Sequence, residues 1–392
     1  MTKLICSKCM RVHETKHTSF CPLCNASNEY FYLYNNSDEY LKKEVKRIKQ
    51  ERKKLGFKRL VGGLECIIIN TEFHNWKQAI KELLNNTGAY YQESFQTQTK
   101  EICVLRQKNS ADILIQRRKK LKEENPFISF NIFPKSKHLP NTRLETFVYE
   151  TKDIEKYVEI QKKRGVHFLT ENIQQNESHS FIQTIPSIYT GNSIGFIQWH
   201  GKQKIYTPDT CKITELKIKK PENPLLKNIK KIDHAATRVK AEHRDVAIIE
   251  FMELTNYTFD FAIYVKLFNS ITNVARLSQD DFAMVFTSGV TPFINTDVSG
   301  PTEKFIHNYG ARTHHLAFQT DKIEETFKSL EQKGVKFLIK LVGSQKEGLK
   351  QTFTVQSKTT MLVNEYIHRY GNFDGFFTKS NVSLLTKSTE KQ

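Results

Sequence analysis

The segment 149–169, YETKDIEKYVEIQKKRGVHFL, recurs without a gap as 318–338, FQTDKIEETFKSLEQKGVKFL, at an offset of 169 residues. Thr151/Thr320, Ile154/Ile323, Glu155/Glu324, Gly165/Gly334, Val166/Val335, Phe168/Phe337 and Leu169/Leu338 are identical, too many matches for chance, so the chain must contain two copies of one folding unit. In the second copy the apolar run THHLAF reads as a strand. Thr320–Asp321 then cap a helix whose Ile323, Phe327 and Leu330 share a face, and Gly334 stops it before a new strand. The unit is therefore β-α-β.

The same offset sets Glu65 of VGGLECIII against His234 of KKIDHAATRV, which starts the duplication near residue 61 and again near residue 230. Each half, about 165 residues long, has room for two units, four in all. PENPLLKNIKK (221–231), with two prolines, reads as the linker between halves, and residues 381–392 as a polar, frayed tail. With 38% hydrophobic and 11% aromatic residues the chain can bury a sizeable core, which excludes a disordered polyelectrolyte. No stretch reaches the roughly 18–20 apolar residues of a membrane span, and MTKLICSKCM lacks the apolar core of a signal peptide, so a soluble cytoplasmic protein without membrane partners is expected.

Four of the seven cysteines crowd the start as Cys6-Ser-Lys-Cys9 and Cys21-Pro-Leu-Cys24. Two such knuckles supply four soft thiolates around one tetrahedral ion, so the reading is a closed structural zinc ribbon; a one-iron site of rubredoxin type or redox dithiols are the alternatives. His13 and His17, between the knuckles, are read as surface residues. Residues 38–59 follow as a charged helix with ten basic against four acidic side chains. The net charge of +18 raises nucleic acid as a partner, but +8 of it lies within residues 1–60. A solvated linker helix with i, i+4 charge pairs is favoured over a nucleic-acid patch.

In the second half three good ligands fall on expected strands: His234 in IDHAATRV, His315 in THHLAFQT and Glu365 in MLVNEYIHRYGNFDGFF. Two imidazoles and one carboxylate with open positions are the donor set of non-haem Fe(II) oxygen chemistry. The offset carries these three onto Glu65, Thr146 and Phe196, which cannot form a matching site. One half should bind metal and the other serve as scaffold.

The surroundings of these residues resemble the 4-hydroxyphenylpyruvate dioxygenase family of the vicinal oxygen chelate superfamily. Ile232-Asp233-His234 is similar to its first-ligand strand, and His315-Leu316-Ala317-Phe318 with the following Thr320-Asp321-Lys322-Ile323 to its second. Glu365-Tyr366-Ile367-His368-Arg369, then Gly371-Asn372-Phe373 and Phe376-Phe377, resembles the third-ligand strand and the start of a terminal lid helix. The resemblance covers residues 228–380 well and 61–215 more weakly. It implies an α+β fold of tandem βαβββ modules in two half-barrel domains. The expected order is a zinc ribbon (1–30), a basic helical linker (31–60), a domain without metal (61–220), an iron-binding catalytic domain (228–380) and a tail (381–392).

It further implies Fe(II) on His234, His315 and Glu365, with an aryl 2-oxo acid and O2 as substrates. The reaction would be oxidative decarboxylation with hydroxylation of the ring, taking 4-hydroxyphenylpyruvate to homogentisate in tyrosine catabolism. Gln351 and Phe353 of Gln-Thr-Phe-Thr, Asn295 of Phe-Ile-Asn, and Asn372 and Phe373 of Gly-Asn-Phe match the family's pocket residues, and Phe373, Phe376 and Phe377 its aromatic lid. No organic cofactor is implied, and a homo-oligomer is. Departures from the pattern are His314 in place of a glutamine, Ser299-Gly300-Pro301-Thr302 in place of Ser-Gln-x-Gln, and a shortened glycine-rich spacer before Gly371. They leave open benzylic hydroxylation, as in hydroxymandelate synthase, or another 2-oxo acid. His314 is expected to face away from the metal, since strand neighbours alternate. The alternative of another class is a non-enzymatic nucleic-acid or protein-binding factor built on the ribbon and basic helix.

Overall fold

The computed structural model describes residues 3–6, 8, 12–14, 20, 21, 23–27, 31–119, 125–219, 221–371, 373 and 375–392. Each half holds two βαβββ modules, as the duplication requires. In the first half, strand Val61–Thr71, helix Trp76–Asn86 and strands Tyr90–Gln96, Lys100–Arg106 and Asp112–Arg118 make one module. Strand Arg143–Thr151, helix Ile154–Lys163 and strands Gln174–Gln175, His179–Gln183 and Ser193–Trp199 make the next. The second half repeats this with strand Ile229–Arg238, helix Arg244–Leu254 and strands Thr258–Val265, Ser270–Arg276 and Ala283–Ser288. It ends with strand Arg312–Thr320, helix Ile323–Gln332 and strands Val342–Ser344, Leu349–Phe353 and Val363–Arg369.

In each half the two modules join through their first strands, which pair antiparallel, and each first strand also pairs parallel with the last strand of its own module. The result is one curled sheet per half, with helices on the outer face and a half-barrel interior on the other. This is the tandem vicinal oxygen chelate fold. The helix-bearing faces of the two halves pack on each other: Tyr157 donates to the Leu254 carbonyl (3.0 Å), Tyr366 to that of Asn86 (2.7 Å), and Tyr149, Phe251 and Tyr257 form a buried aromatic cluster. The linker is packed rather than loose, since Leu226 and Asn228 of its 3-10 turn, Pro224–Asn228, are buried.

Strand pairing corrects the correspondence between halves. Cys66 faces Val148 as His234 faces Ala317, and Gly195 faces Val148 as Glu365 faces Ala317. The counterparts of His234, His315 and Glu365 are therefore Cys66, Thr146 and Gly195, and not Glu65, Thr146 and Phe196. An offset of 169 holds at Thr146, but the surrounding strands have drifted by a residue in opposite directions. No equivalent ligand set results.

Two outlying segments differ from expectation. The charged helix spans Glu39–Lys54, and one face, Leu41, Glu44, Ile48 and Arg52, is buried rather than solvated. Arg52 donates to the carbonyls of Asn256, Met252 and Tyr257, and Arg47 pairs with Glu253, which clamps the helix to the second half. Residues 381–392 are not a frayed tail. Helix Lys379–Ser388, capped by the Thr378 hydroxyl, packs Leu385 against Val342, Phe353 and Val363 and buries Val382 beside it, across the mouth of the second half-barrel. Its buried face mixes Val382 and Leu385 with Asn381 and Ser388, which disguises this helix as polar sequence.

Candidate metal centre

His234, His315 and Glu365 come from three adjacent strands. His234 faces Ala317 on one side, and Ala317 faces Glu365 on the other, so the small alanine leaves space between the two longer side chains. His315 enters from two residues along the middle strand. One donor atom from each residue lies within 4.8 Å of the others, and all three residues are buried. Glu365 Oε2 is 3.1 Å from His234 Nε2 and 3.3 Å from His315 Nε2.

Neighbouring groups orient every member of the trio. His234 Nδ1 lies 2.8 Å from Asp233 Oδ1, and Arg369 donates to both oxygens of Asp233, at 2.5 and 3.0 Å. That carboxylate keeps a proton on Nδ1 and turns Nε2 toward Glu365, the nitrogen a metal would take in place of its proton. Gln351 Nε2 donates to Glu365 Oε1 (2.5 Å), and Asn381 Nδ2 donates to Gln351 Oε1 (3.0 Å), so the terminal helix braces the carboxylate. Burial opposes charge on His234, but Glu365 and Asp233 beside it outweigh this and push it up to about 9. Burial, reinforced by His314, His234 and Arg238, holds His315 well below the usual imidazole range. Burial would raise Asp233, yet Arg369 and His234 hold it below the ordinary carboxylate range. Two imidazole nitrogens and a braced carboxylate oxygen, converging in a buried cavity, fit a divalent first-row metal.

Around the trio the structure brings together Gln351, Phe353, Phe377, His314 and Arg238, with Val382 and Leu385 of the terminal helix as a cover. Phe353 lies 4.8 Å from His315, and Phe376 and Phe377 lie 5.5 and 5.1 Å from His234, measured between ring centres. Phe373 packs with Phe377 against Ala317, Leu349 and Ile367. The remaining space is only about 50 Å³, enough for a water or two.

Two expectations change here. His314 does not face away: its Nδ1 is 2.8 Å from that of His315, and it lines the same cavity. Ala236 pairs with His315 and Thr237 with Thr313, so His314 is the extra residue of a β-bulge, which breaks the alternation of faces. Asn295 does not reach the cavity. It is exposed, and its side-chain oxygen accepts from the amides of Asp297 and Val298 to hold a surface turn. Asn372 lies outside the described residues. Sequence reasoning passed over Arg238, although a residue four beyond His234 on a strand must share its face, and over Asn381, because it lay in the supposed tail.

At the amino terminus, strands Val12–Glu14, Lys3–Cys6 and Phe31–Leu33 form an antiparallel sheet. The thiols of Cys6, Cys21 and Cys24 converge within 4.8 Å, and Cys9 and His17 lie outside the described residues. His13, expected at the surface, is buried with Nε2 3.4 Å from Cys21 Sγ.

No protein-family model matches the chain, and no curated sequence does. Solved structures do match. A mutant of 4-hydroxymandelate synthase from Streptomyces coelicolor superposes with a TM-score of 0.60 at 14% identity, over 84% of this chain and 98% of its own. A xylose isomerase-like TIM barrel/4-hydroxyphenylpyruvate dioxygenase fusion protein gives a TM-score of 0.60 at 14% identity, over 90% of this chain and 58% of that one. At such identity the likeness is one of fold.

Proposed function

We propose that the chain is a mononuclear non-haem Fe(II) dioxygenase that oxidatively decarboxylates an aryl 2-oxo acid and hydroxylates its ring, with His234, His315 and Glu365 holding the iron. The observation that carries this reading is the convergence of those three residues in a buried cavity, with Glu365 Oε2 facing both imidazoles while Gln351 occupies Oε1. Three protein ligands leave positions for a 2-oxo acid and O2, and the fold is shared with solved structures whose titles name 4-hydroxymandelate synthase and 4-hydroxyphenylpyruvate dioxygenase.

Bound there, Fe(II) supplies Lewis acidity toward the 2-oxo acid and electrons toward O2. The protein's own part is placement and exclusion. Asp233 keeps the proton of His234 on Nδ1, and Gln351 stops Glu365 from swinging. Phe353, Phe376 and Phe377 keep water from the reacting atoms. Because the cavity is nearly filled, Val382 and Leu385 must withdraw to admit substrate, which makes helix Lys379–Ser388 the gate. We assign a structural zinc to Cys6, Cys9, Cys21 and Cys24. Protein prepared anaerobically with Fe(II) is expected to take up O2 and release CO2 when given 4-hydroxyphenylpyruvate or a related aryl 2-oxo acid, and product identification separates ring from benzylic hydroxylation. Absence of turnover with every such acid would overturn the reading.

A further inference from the structure

Arg238 stands four residues beyond His234 on the same strand, and alternation puts His234, Ala236 and Arg238 on the face that lines the half-barrel. It lines the cavity that holds His315, Glu365, Gln351 and Phe353, and it is only 4% exposed. Of the other deeply buried arginines, Arg244 pairs with Asp38 and Asp245 and Arg143 donates to three carbonyls and to Asn131, whereas Arg312, like Arg238, has no acid: it donates to the Thr142 carbonyl (2.8 Å) and leaves Nη1 without a partner, but it does not line the cavity. Arg238 has one long hydrogen bond, to the Pro301 carbonyl (3.3 Å), and the Phe305 ring at 4.4 Å. Among the described residues no carboxylate lies within ion-pairing distance of it, and its cross-strand neighbour is another arginine, Arg312. Burial pushes it down to about 9 with no acid to offset the cost.

A second polar group beside it is also unsatisfied. On the other neighbouring strand Arg238 stands in register with Thr287, whose buried hydroxyl has no hydrogen-bond partner and lines the same cavity. Ser270 and Thr302, bonded to each other at 3.1 Å, complete a hydroxyl-lined end opposite the aromatic one. A buried guanidinium without an acid is costly, and a planar carboxylate satisfies its fork with two parallel hydrogen bonds.

We propose that Arg238 is a substrate-binding residue, and that the substrate carries a second carboxylate, distinct from its 2-oxo acid group, which pairs with Arg238 and Thr287 at the far end of the cavity. Four residues of strand separate the Cα atoms of His234 and Arg238 by about 13 Å, a span that matches a ring or a short chain, which the cavity of about 50 Å³ admits only once the terminal helix has withdrawn. The phenol of a 4-hydroxyphenyl substrate would leave the charge of Arg238 uncompensated. This inference rests on the triad being the site of 2-oxo acid oxidation.

The test compares 4-carboxyphenylpyruvate and 2-oxoglutarate with phenylpyruvate, on the full-length Fe(II)-loaded protein and its Arg238→Met and Arg238→Gln variants. Anaerobic calorimetric binding and kcat/KM are both read. A diacid is expected to bind at least about tenfold more tightly than phenylpyruvate, and Arg238→Met to abolish that preference. The ligand-free Arg238→Met protein should melt no lower than the parent, since a buried unpaired charge has been removed. If diacid binding depends on Arg238 but nothing turns over, the carboxylate-binding role of Arg238 stands and the dioxygenase reading fails. If phenylpyruvate turns over, neither diacid is preferred and both variants keep the parent's selectivity, the inference fails and the dioxygenase reading survives. A melting temperature lowered by many degrees in both variants, with selectivity unchanged, would make Arg238 a structural residue and also overturn it.

Discussion

Gln351 Nε2 donates to Glu365 Oε1 at 2.5 Å, which leaves Oε2 as the oxygen between the two imidazoles. One hydrogen bond thus decides which carboxylate oxygen is offered to a metal. Replacing Gln351 with Leu should weaken Fe(II) binding by about 10- to 100-fold, the usual cost of losing an outer-shell partner, while the fold survives. Competition with a chelator under anaerobic conditions measures this.

The terminal helix reaches the same bond through Asn381, and Gln392 beyond it lies 2.7 Å from His314. Deleting residues 379–392 should uncover Phe353 and His314 to water and lower turnover at least about tenfold, with secondary structure otherwise retained. Circular dichroism and binding of an apolar dye would report the opened cavity alongside the activity.

Glu303 supplies a pH signature away from the metal centre. Burial pushes its carboxyl up to about 8, against the pull of the Gly289 and Ala241 amides at 2.9 and 3.0 Å. A raised carboxyl pKa means the folded state holds the proton that the unfolded chain has released. This group's contribution to stability is therefore fully present below about pH 4.5, falls as pH rises toward about 8, and levels off above it. Glu303→Gln should remove that slope, so the parent should lose several more degrees of melting temperature than the variant between pH 5 and 8.

Cys21 lies in the amino-terminal segment, whose last strand, Phe31–Leu33, runs on to Asn35; that residue donates its backbone amide to the Val290 carbonyl (2.7 Å) and its side-chain amide to the Ala241 carbonyl (2.8 Å). Cys21→Ser should release zinc, measurable by metal analysis, and leave part of the oxygenase activity. Complete loss of activity with iron still bound would assign the cysteine sheet more than a structural role.

Much of the body was legible because the signals were periodic. A gapless repeat gave the duplication and the four modules, and three ligand-type residues on expected strands gave the trio. Local irregularity hid the rest. The bulge at His314 turns two successive imidazoles to one face, which alternation forbids. Opposite one-residue drifts moved the counterparts of His234 and Glu365 to Cys66 and Gly195. Asn295 matched a short motif but sits on an exposed turn, and no three-residue match carries that information. The covering helix was missed because its few apolar residues, Val382, Leu384 and Leu385, are diluted by serine, threonine and lysine.

The proposed role of His234, His315 and Glu365 is to hold an iron that couples O2 to the decarboxylation of a 2-oxo acid. Its most direct test is simultaneous measurement of O2 uptake and CO2 release by the Fe(II)-loaded protein supplied with aryl 2-oxo acids, beside a His315→Ala variant of unchanged circular dichroism. Equimolar O2 and CO2 in the parent, with neither in the variant, is the expected result. Turnover that persists in His315→Ala, or no O2 uptake by a parent that retains its Fe(II), would contradict it.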